Sequence, residues 1–203
     1  LSTRAGADGT FGWPPVSGGE EITPAVWRKY LGDLYAREEG GESNLAVAFP
    51  GFHDIYADAG LHDSYGYIDD RDGETFSETM DRALRSESPL IQIATWNDFG
   101  EGTAIEPTER FEYRYLEALQ KLTGRYPRFT PEDLRLPVML YQLRKSAPKN
   151  AILVKELDRA SALLLASKCV EARTVLENLT AQSGGQAGAA NRLPATSRKH
   201  DGN

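Results

Sequence analysis

Short unbroken apolar runs alternate, in the first part of the chain, with stretches in which apolar residues recur every three or four positions. Leu45-Ala46-Val47-Ala48-Phe49, closed by Pro50-Gly51, and Leu90-Ile91-Gln92-Ile93-Ala94, entered at Pro89, are too short for helices and read as buried parallel strands. Thr23 followed by Pro24 pairs an N-cap with the residue whose fixed φ suits the first helical position. It predicts a helix to about Arg37, with Val26, Tyr30, Leu31, Leu34 and Tyr35 as its apolar face and Gly40-Gly41 as its end. Phe76, Met80, Ala83 and Leu84 mark the next helix, followed by the strand that carries Trp96. Thr108 is then expected to cap a helix to about Leu122, with Phe111, Tyr115, Ala118, Leu119 and Leu122 facing inward. Strand and helix in alternation predict an α/β fold with a parallel sheet and outer helices.

Between the first apolar run and the helix at Phe76 lies a long loop, residues 51 to 73. Its His53, Asp54, Tyr56, Asp58, His62, Asp63, Tyr65, Tyr67, Asp69, Asp70 and Arg71 suit contact with a sugar better than a passive connection. After Pro127 the pattern changes. Thr130-Pro131-Glu132-Asp133 opens a helical segment, Pro137 restarts it, and residues 149 to 181 predict two amphipathic helices broken near Ala166-Ser167-Lys168. Such leucine stripes ordinarily pack, here as a helical hairpin, with a binding module for another protein as the second reading. From Ser183 to Asn203 glycine, alanine, serine and charge replace the periodicity, and disorder is expected.

With 203 residues, 40% of them hydrophobic, the chain can bury a substantial core. A net charge of -7 argues against nucleic acid, whose phosphates select basic surfaces, and leaves neutral glycan open as a partner. No run of about 18 apolar residues is present to span a membrane. The single cysteine, Cys169, excludes an internal disulfide and a thiolate zinc cage. Asp69, Asp70, Asp72 and Glu74 lack the spacing of a calcium-binding loop, so no metal is expected. The chain opens at Leu1 without a methionine, and complete (β/α) barrels need about 200 to 250 residues.

Thr95-Trp96-Asn97-Asp98-Phe99-Gly100-Glu101-Gly102-Thr103-Ala104-Ile105-Glu106-Pro107 sets two carboxylates three positions apart, just beyond the second apolar run. Asp98 and Glu101 are thereby expected at the C-terminal mouth of a strand, the edge where α/β barrels carry their chemistry. Glycosidic cleavage needs one carboxyl holding a proton for the leaving oxygen and a second that is ionised. The stretch resembles the Asn-Glu-Trp-His-Glu-Gly-Thr signature of glycoside hydrolase family 99, the endo-acting α-mannosidases and α-mannanases. It is also similar to the Trp-Asn-Asp-Tyr-Gly-Glu signature of the family 71 α-1,3-glucanases. Upstream, Pro50-Gly51-Phe52-His53-Asp54, Arg71-Asp72-Gly73-Glu74-Thr75-Phe76, Ala83-Leu84 and Pro89-Leu90-Ile91 follow family 99 in order and approximate spacing. Asp98 and Gly100 look like family 71, whereas Gly102-Thr103 and Ile105-Glu106-Pro107 look like family 99.

The resemblance implies an endo-acting α-glycoside hydrolase, cutting an α-mannan or α-glucan without a cofactor, on the C-terminal portion of a (β/α)8 TIM-type barrel followed by a helical extension. Residues 1–127 would be the barrel portion, 128–182 the extension and 183–203 a tail; such a portion alone is expected to be weakly active or inactive. Glu101 would be the general acid. Asp98 would act as base on the sugar 2-hydroxyl, giving retention, by the family 99 likeness, or help to activate water, giving inversion, by the family 71 likeness. Substrate contacts are expected from Trp13, His53, Asp54, Arg71, Trp96, Asn97 and Glu106, since aromatic faces stack on sugar C–H surfaces and Arg can orient a carboxylate through its fork. For Glu106, which precedes Pro107, a structural role is favoured, and His53 and Arg71 have ordinary hydrogen-bonding and ion-pairing readings beside the functional one. Two other functions stay open: a glycosyltransferase-associated role in surface-polysaccharide biosynthesis, and a non-catalytic glycan-binding protein. Oligomeric state and compartment are left open, a secreted or periplasmic setting being what the resemblance implies.

Overall fold

The computed structural model describes residues 9–39, 43–124, 128–146 and 151–182, so the expected disorder of 183–203 lies outside the described residues. Two compact units divide the chain: residues 1–106 with 114–122, and residues 107–113 with 123–203.

The first unit is a mixed α/β structure. β1 (Gly9–Phe11), β2 (Ser43–Ala48) and β5 (Ile91–Ile93) form a parallel sheet in the order β1-β2-β5, with Phe11 opposite Leu45 and Ala48 opposite Ile93. The crossovers carry α1 (Pro24–Glu39) and α2 (Glu74–Arg85), both of which pack on β2. α1 begins at Pro24 as its N-terminal signal predicts, and β2 starts two residues before the apolar run because pairing with β1 extends the ladder to Ser43. The expected structureless loop contains a short antiparallel ribbon, β3 (Phe52–His53) with β4 (Tyr67–Ile68), which places Phe52 opposite Ile68.

Trp27, Leu31, Leu34, Val47, Phe49, Phe52, Ile68 and Ala94 form the core, with Trp27 edge-on to Phe49 at 6.1 Å. Gly12 lies so close to Val47 that a Cβ there would collide with its side chain, which excludes every larger residue. Where β2 ends, the buried Thr79 hydroxyl of α2 accepts from Phe49 N at 3.1 Å and lies 2.9 Å from Phe49 O, so neither backbone group is left unpaired. β5 departs from expectation. Ile91, Gln92 and Ile93 are only half-buried, because β5 pairs with β2 on one side and has no described strand on the other. Trp96 also lies beyond the strand, in the loop that follows it.

Four charges meet beside α2. The Glu78 carboxylate accepts from Arg28 Nε at 2.6 Å, Arg28 Nη2 at 2.8 Å, Arg71 Nη2 at 2.9 Å and Arg82 Nε at 3.1 Å. These donors, Arg28 foremost, hold the Glu78 carboxyl at about 2 against burial, which works the other way. Because this folded value lies below the ordinary 4.5, the associated stability is present above 4.5 and lost as pH falls toward about 2. Glu78→Gln is therefore expected to destabilise the protein by about 1–2 kcal/mol at neutral pH, the guanidinium groups being partly solvated. Urea unfolding at pH 7 and at pH 2.5 checks this, since the difference between the two proteins should shrink at the lower pH.

Thr108 caps less than expected. Its hydroxyl accepts from Phe111 N at 3.1 Å and its carbonyl from Glu112 N at 2.7 Å, closing one turn that Glu112 ends at φ 47°. α3 (Arg114–Leu122) starts only after this left-handed residue, so Phe111 is outside the helix while Tyr115 is buried in it against Phe76, 5.4 Å away. In the second unit the turn Pro131–Arg135 leads into α4 (Leu136–Ser146), which packs on α5 (Ala151–Leu165) and α6 (Cys169–Gln182). Leu136, Leu143, Leu157, Ala160, Leu176 and Leu179 are buried between them. The break between α5 and α6 falls at 166–168, where Ser167 takes φ 58° and Lys168 N donates to Leu163 O at 2.9 Å, an end that fits the left-handed helix caps.

Candidate active site

The loop after β5 is a closed structure and not a free connection. Thr95 N donates to Thr103 O at 2.9 Å, Ile105 N to Thr95 O at 3.1 Å and Glu106 N to Trp96 O at 2.8 Å, so the segment returns along its own start. Inside the closure the Thr95 and Thr103 hydroxyls pair at 3.0 Å, and Thr95 Oγ1 also accepts from Asp98 N at 2.9 Å. Asp98 Oδ1 in turn accepts from Glu101 N at 2.9 Å and the Asp98 carbonyl from Thr103 N at 3.1 Å. This is the local side-chain-to-backbone bonding by which Asp sets a tight turn. It explains the spacing of three between the acids: one carboxylate shapes the turn that presents the other.

The acid loop is joined to the β3 segment by His53 N donating to Glu101 O at 2.8 Å and Ile55 N to Gly100 O at 3.0 Å. Gly102 makes this approach feasible. Its φ of 65° suits glycine, and a Cβ there would stand 2.7 Å from the His53 carbonyl oxygen.

Around Glu101 the surroundings favour the protonated acid. Its carboxyl titrates above the ordinary value, first because of burial and next because of the Asp98 charge; the hydrogen bond from Tyr56 opposes this, the Asp54 charge adds to it and the Trp13 side chain opposes it. The Tyr56 hydroxyl donates to Glu101 Oε1 at 3.4 Å, whereas Oε2 is buried without a hydrogen-bond partner among the described residues. An anionic oxygen buried without a donor is costly, which is the physical reason the titration moves upward. Carboxyl-carbon NMR should find Glu101 titrating above the ~4.3 of an unperturbed glutamate, and Asp98→Asn should lower that midpoint by removing the like charge. A midpoint that stays put in the variant would show that the two carboxyls are not coupled.

The structure brings Trp13, His53, Asp54, Trp96, Asn97, Asp98 and Glu101 into one region. Trp96 and Asn97 stand exposed on the acid loop, and the exposed His53 ring meets Tyr67 edge-on at 5.4 Å. Asp54 is buried instead of facing outward, and its carboxylate accepts from Tyr65 N at 2.7 Å and Ser64 Oγ at 3.1 Å, so it clamps its own loop. Glu106 contributes its backbone N–H to the loop closure. Arg71 is directed elsewhere: its guanidinium pairs with Glu78 and donates from Nε to Thr75 Oγ1 at 3.0 Å. Asp69 and Asp70 accept from the N–H groups of Arg71 and Asp72 at 2.8 Å, and no group of three or more His, Cys, Asp or Glu among the described residues is placed to hold a metal ion. Tyr56 was not singled out by the sequence. Only the loop's sugar-like composition pointed toward it, and no spacing linked it to Glu101, 45 positions away.

No protein-family model matches the chain, and no curated protein matches it. Two solved structures of the GH99 endo-α-mannosidase from Bacteroides thetaiotaomicron, one in complex with bis-tris propane, each align with 58% of this chain, at 16% and 17% identity and TM-scores of 0.42 and 0.39. This chain covers 41% and 39% of theirs, about two-fifths of their length. Likeness of this degree assigns no activity, which is argued from the residues.

Proposed function

We propose that this chain carries the acid pair of an endo-acting α-glycoside hydrolase of the family 99 and family 71 type, cutting an α-mannan or α-glucan. The observation that carries the reading is the unequal environment of the two acids. Glu101 is biased toward its protonated form by burial and by Asp98, while Asp98 holds the turn through Oδ1. A pair of carboxyls so differentiated supplies one group to protonate the leaving oxygen and one to act as base. The loop leaves the C-terminal end of a parallel strand with helices in its crossovers, the arrangement of a (β/α) barrel's catalytic edge, and on this reading the sheet β1-β2-β5 belongs to such a barrel. Trp13 and Trp96, 39% and 51% exposed, supply aromatic faces for sugar rings.

The test uses the longest native polypeptide that contains this chain, incubated with α-mannan and with α-1,3-glucan. Release of oligosaccharides of intermediate length from one of them is the expected result. Binding of polysaccharide that survives Asp98→Asn with Glu101→Gln, together with no release by the unaltered protein, would sink the hydrolase reading in favour of a non-catalytic glycan-binding protein.

A further inference from the structure

Glu101 has one neighbour that the acid-pair chemistry does not use. Tyr56 lies in the connection between β3 and β4, and its hydroxyl meets Glu101 Oε1 at 3.4 Å. Its ring is held by two others, His62 at 4.5 Å and Tyr65 at 5.5 Å, which are themselves 4.9 Å apart. Behind the three rings the buried Asp54 carboxylate ties down the backbone: it accepts from Tyr65 N at 2.7 Å, from Ser64 Oγ at 3.1 Å and from Tyr56 N at 3.4 Å. His62 is anchored through Nδ1, 2.7 Å from Asp63 O. A loop clamped at both ends around one buried carboxylate thus delivers a single phenol to one oxygen of the acid.

We infer that Tyr56 is a positioning residue for Glu101, fixing the rotation of its carboxyl by donating to Oε1, with Asp54 as the anchor of that contact. This rests on the reading of Glu101 as the general acid. Tyr56 stays protonated, and so remains a donor, because burial and the charges of Glu101 and Asp98 raise its own titration. The charged and titratable groups facing Glu101 are Asp98 on its own loop and Asp54 and Tyr56 from the β3–β4 connection; Trp13, from the segment after β1, adds an uncharged indole. Of these, Tyr56 is the one that makes a hydrogen bond to the carboxyl side chain.

Tyr56→Phe isolates the hydroxyl, since the ring and its neighbours stay in place, and a melting curve confirms that the variant is folded. Two readouts are needed. In the resting protein with carbon-13 glutamate, the Glu101 resonance, identified by its loss in Glu101→Gln, should titrate at higher pH in Tyr56→Phe, because a donor that favours the carboxylate has gone. On unactivated polysaccharide kcat should fall about 10- to 100-fold, as expected for a displaced catalytic group, while KM and turnover of an activated aryl glycoside change little, and the alkaline limb of the pH profile should move up. An unchanged Glu101 titration overturns the proposal, and so does an equal loss on both substrates or a change in KM alone, which would make Tyr56 a substrate contact. Absence of turnover in the unaltered protein counts against the hydrolase reading, and the titration then still decides the Tyr56 contact: an upward move supports it and no move overturns it.

Discussion

Glu101→Gln is expected to lower cleavage of the natural polysaccharide by about 100- to 10,000-fold, the range that general acid catalysis supplies, while largely sparing an aryl glycoside with a good leaving group. The amide occupies the same space and can still meet the Tyr56 hydroxyl through its oxygen, but it has no acidic proton for a sugar alkoxide. An activated phenolate leaves without one. Asp98→Asn should depress both substrates, because the base step is needed whatever leaves, and the Asn oxygen can still accept from Glu101 N, so the turn should persist. Asp98→Glu asks whether the site tolerates the longer acid of family 99. Initial rates on both substrates for the three variants, with melting curves, decide the matter. Wild-type rates on polysaccharide in both amide variants would show that this loop is not the catalytic centre.

Trp27→Ala should give the largest loss of stability, about 3–5 kcal/mol. Trp27 is fully buried, packs edge-on against Phe49 at 6.1 Å, and has the Arg28 and Arg71 guanidinium carbons 5.2 Å and 5.5 Å from its ring centroid. Truncation would remove a core side chain and the surface over which two of the three Glu78 donors are arranged, so cavity formation and loss of cation–π contact add. Against a typical total of about 5–15 kcal/mol, this is enough to populate the unfolded state visibly. Trp27→Phe, which keeps a ring in the site, should cost distinctly less. Urea unfolding followed by circular dichroism measures both, and a loss under about 1 kcal/mol for the alanine variant would mean that the site collapses around the smaller residue or is not the centre of the core.

These two results probe different levels of the molecule, and the sequence spoke to them unequally. The start of α1 at Pro24, the β2 run, the turn at 166–168 and the position of the acid pair just beyond a strand were readable, because each is set by interactions between residues a few positions apart: fixed φ, capping, and the periods of strand and helix. The spacing of three between Asp98 and Glu101 also has a local cause, the Asp98 side chain closing the turn on Glu101 N.

What the tertiary structure decided involves partners distant along the chain. Arg71 could have turned to an acid of the site by composition alone; the pairing with Glu78 on α2 is decided by where Arg28 and Arg82 also bring charge. Asp54 reads as an outward polar residue beside a strand end, yet the return of the loop at Ser64 and Tyr65 supplies two donors that, with Tyr56 N, hold it inside. Thr108 caps one turn and not a helix because Glu112 adopts a left-handed conformation that no residue type announces. β5 is half-buried because burial of a strand depends on what lies beside it, not on its own apolar run. Sequence by itself thus determined which residues form the elements and where two acids stand on them. Only packing decided that Tyr56, 45 positions away, reaches Glu101, since a contact across that separation depends on how the intervening backbone folds and not on any local preference of the two residues.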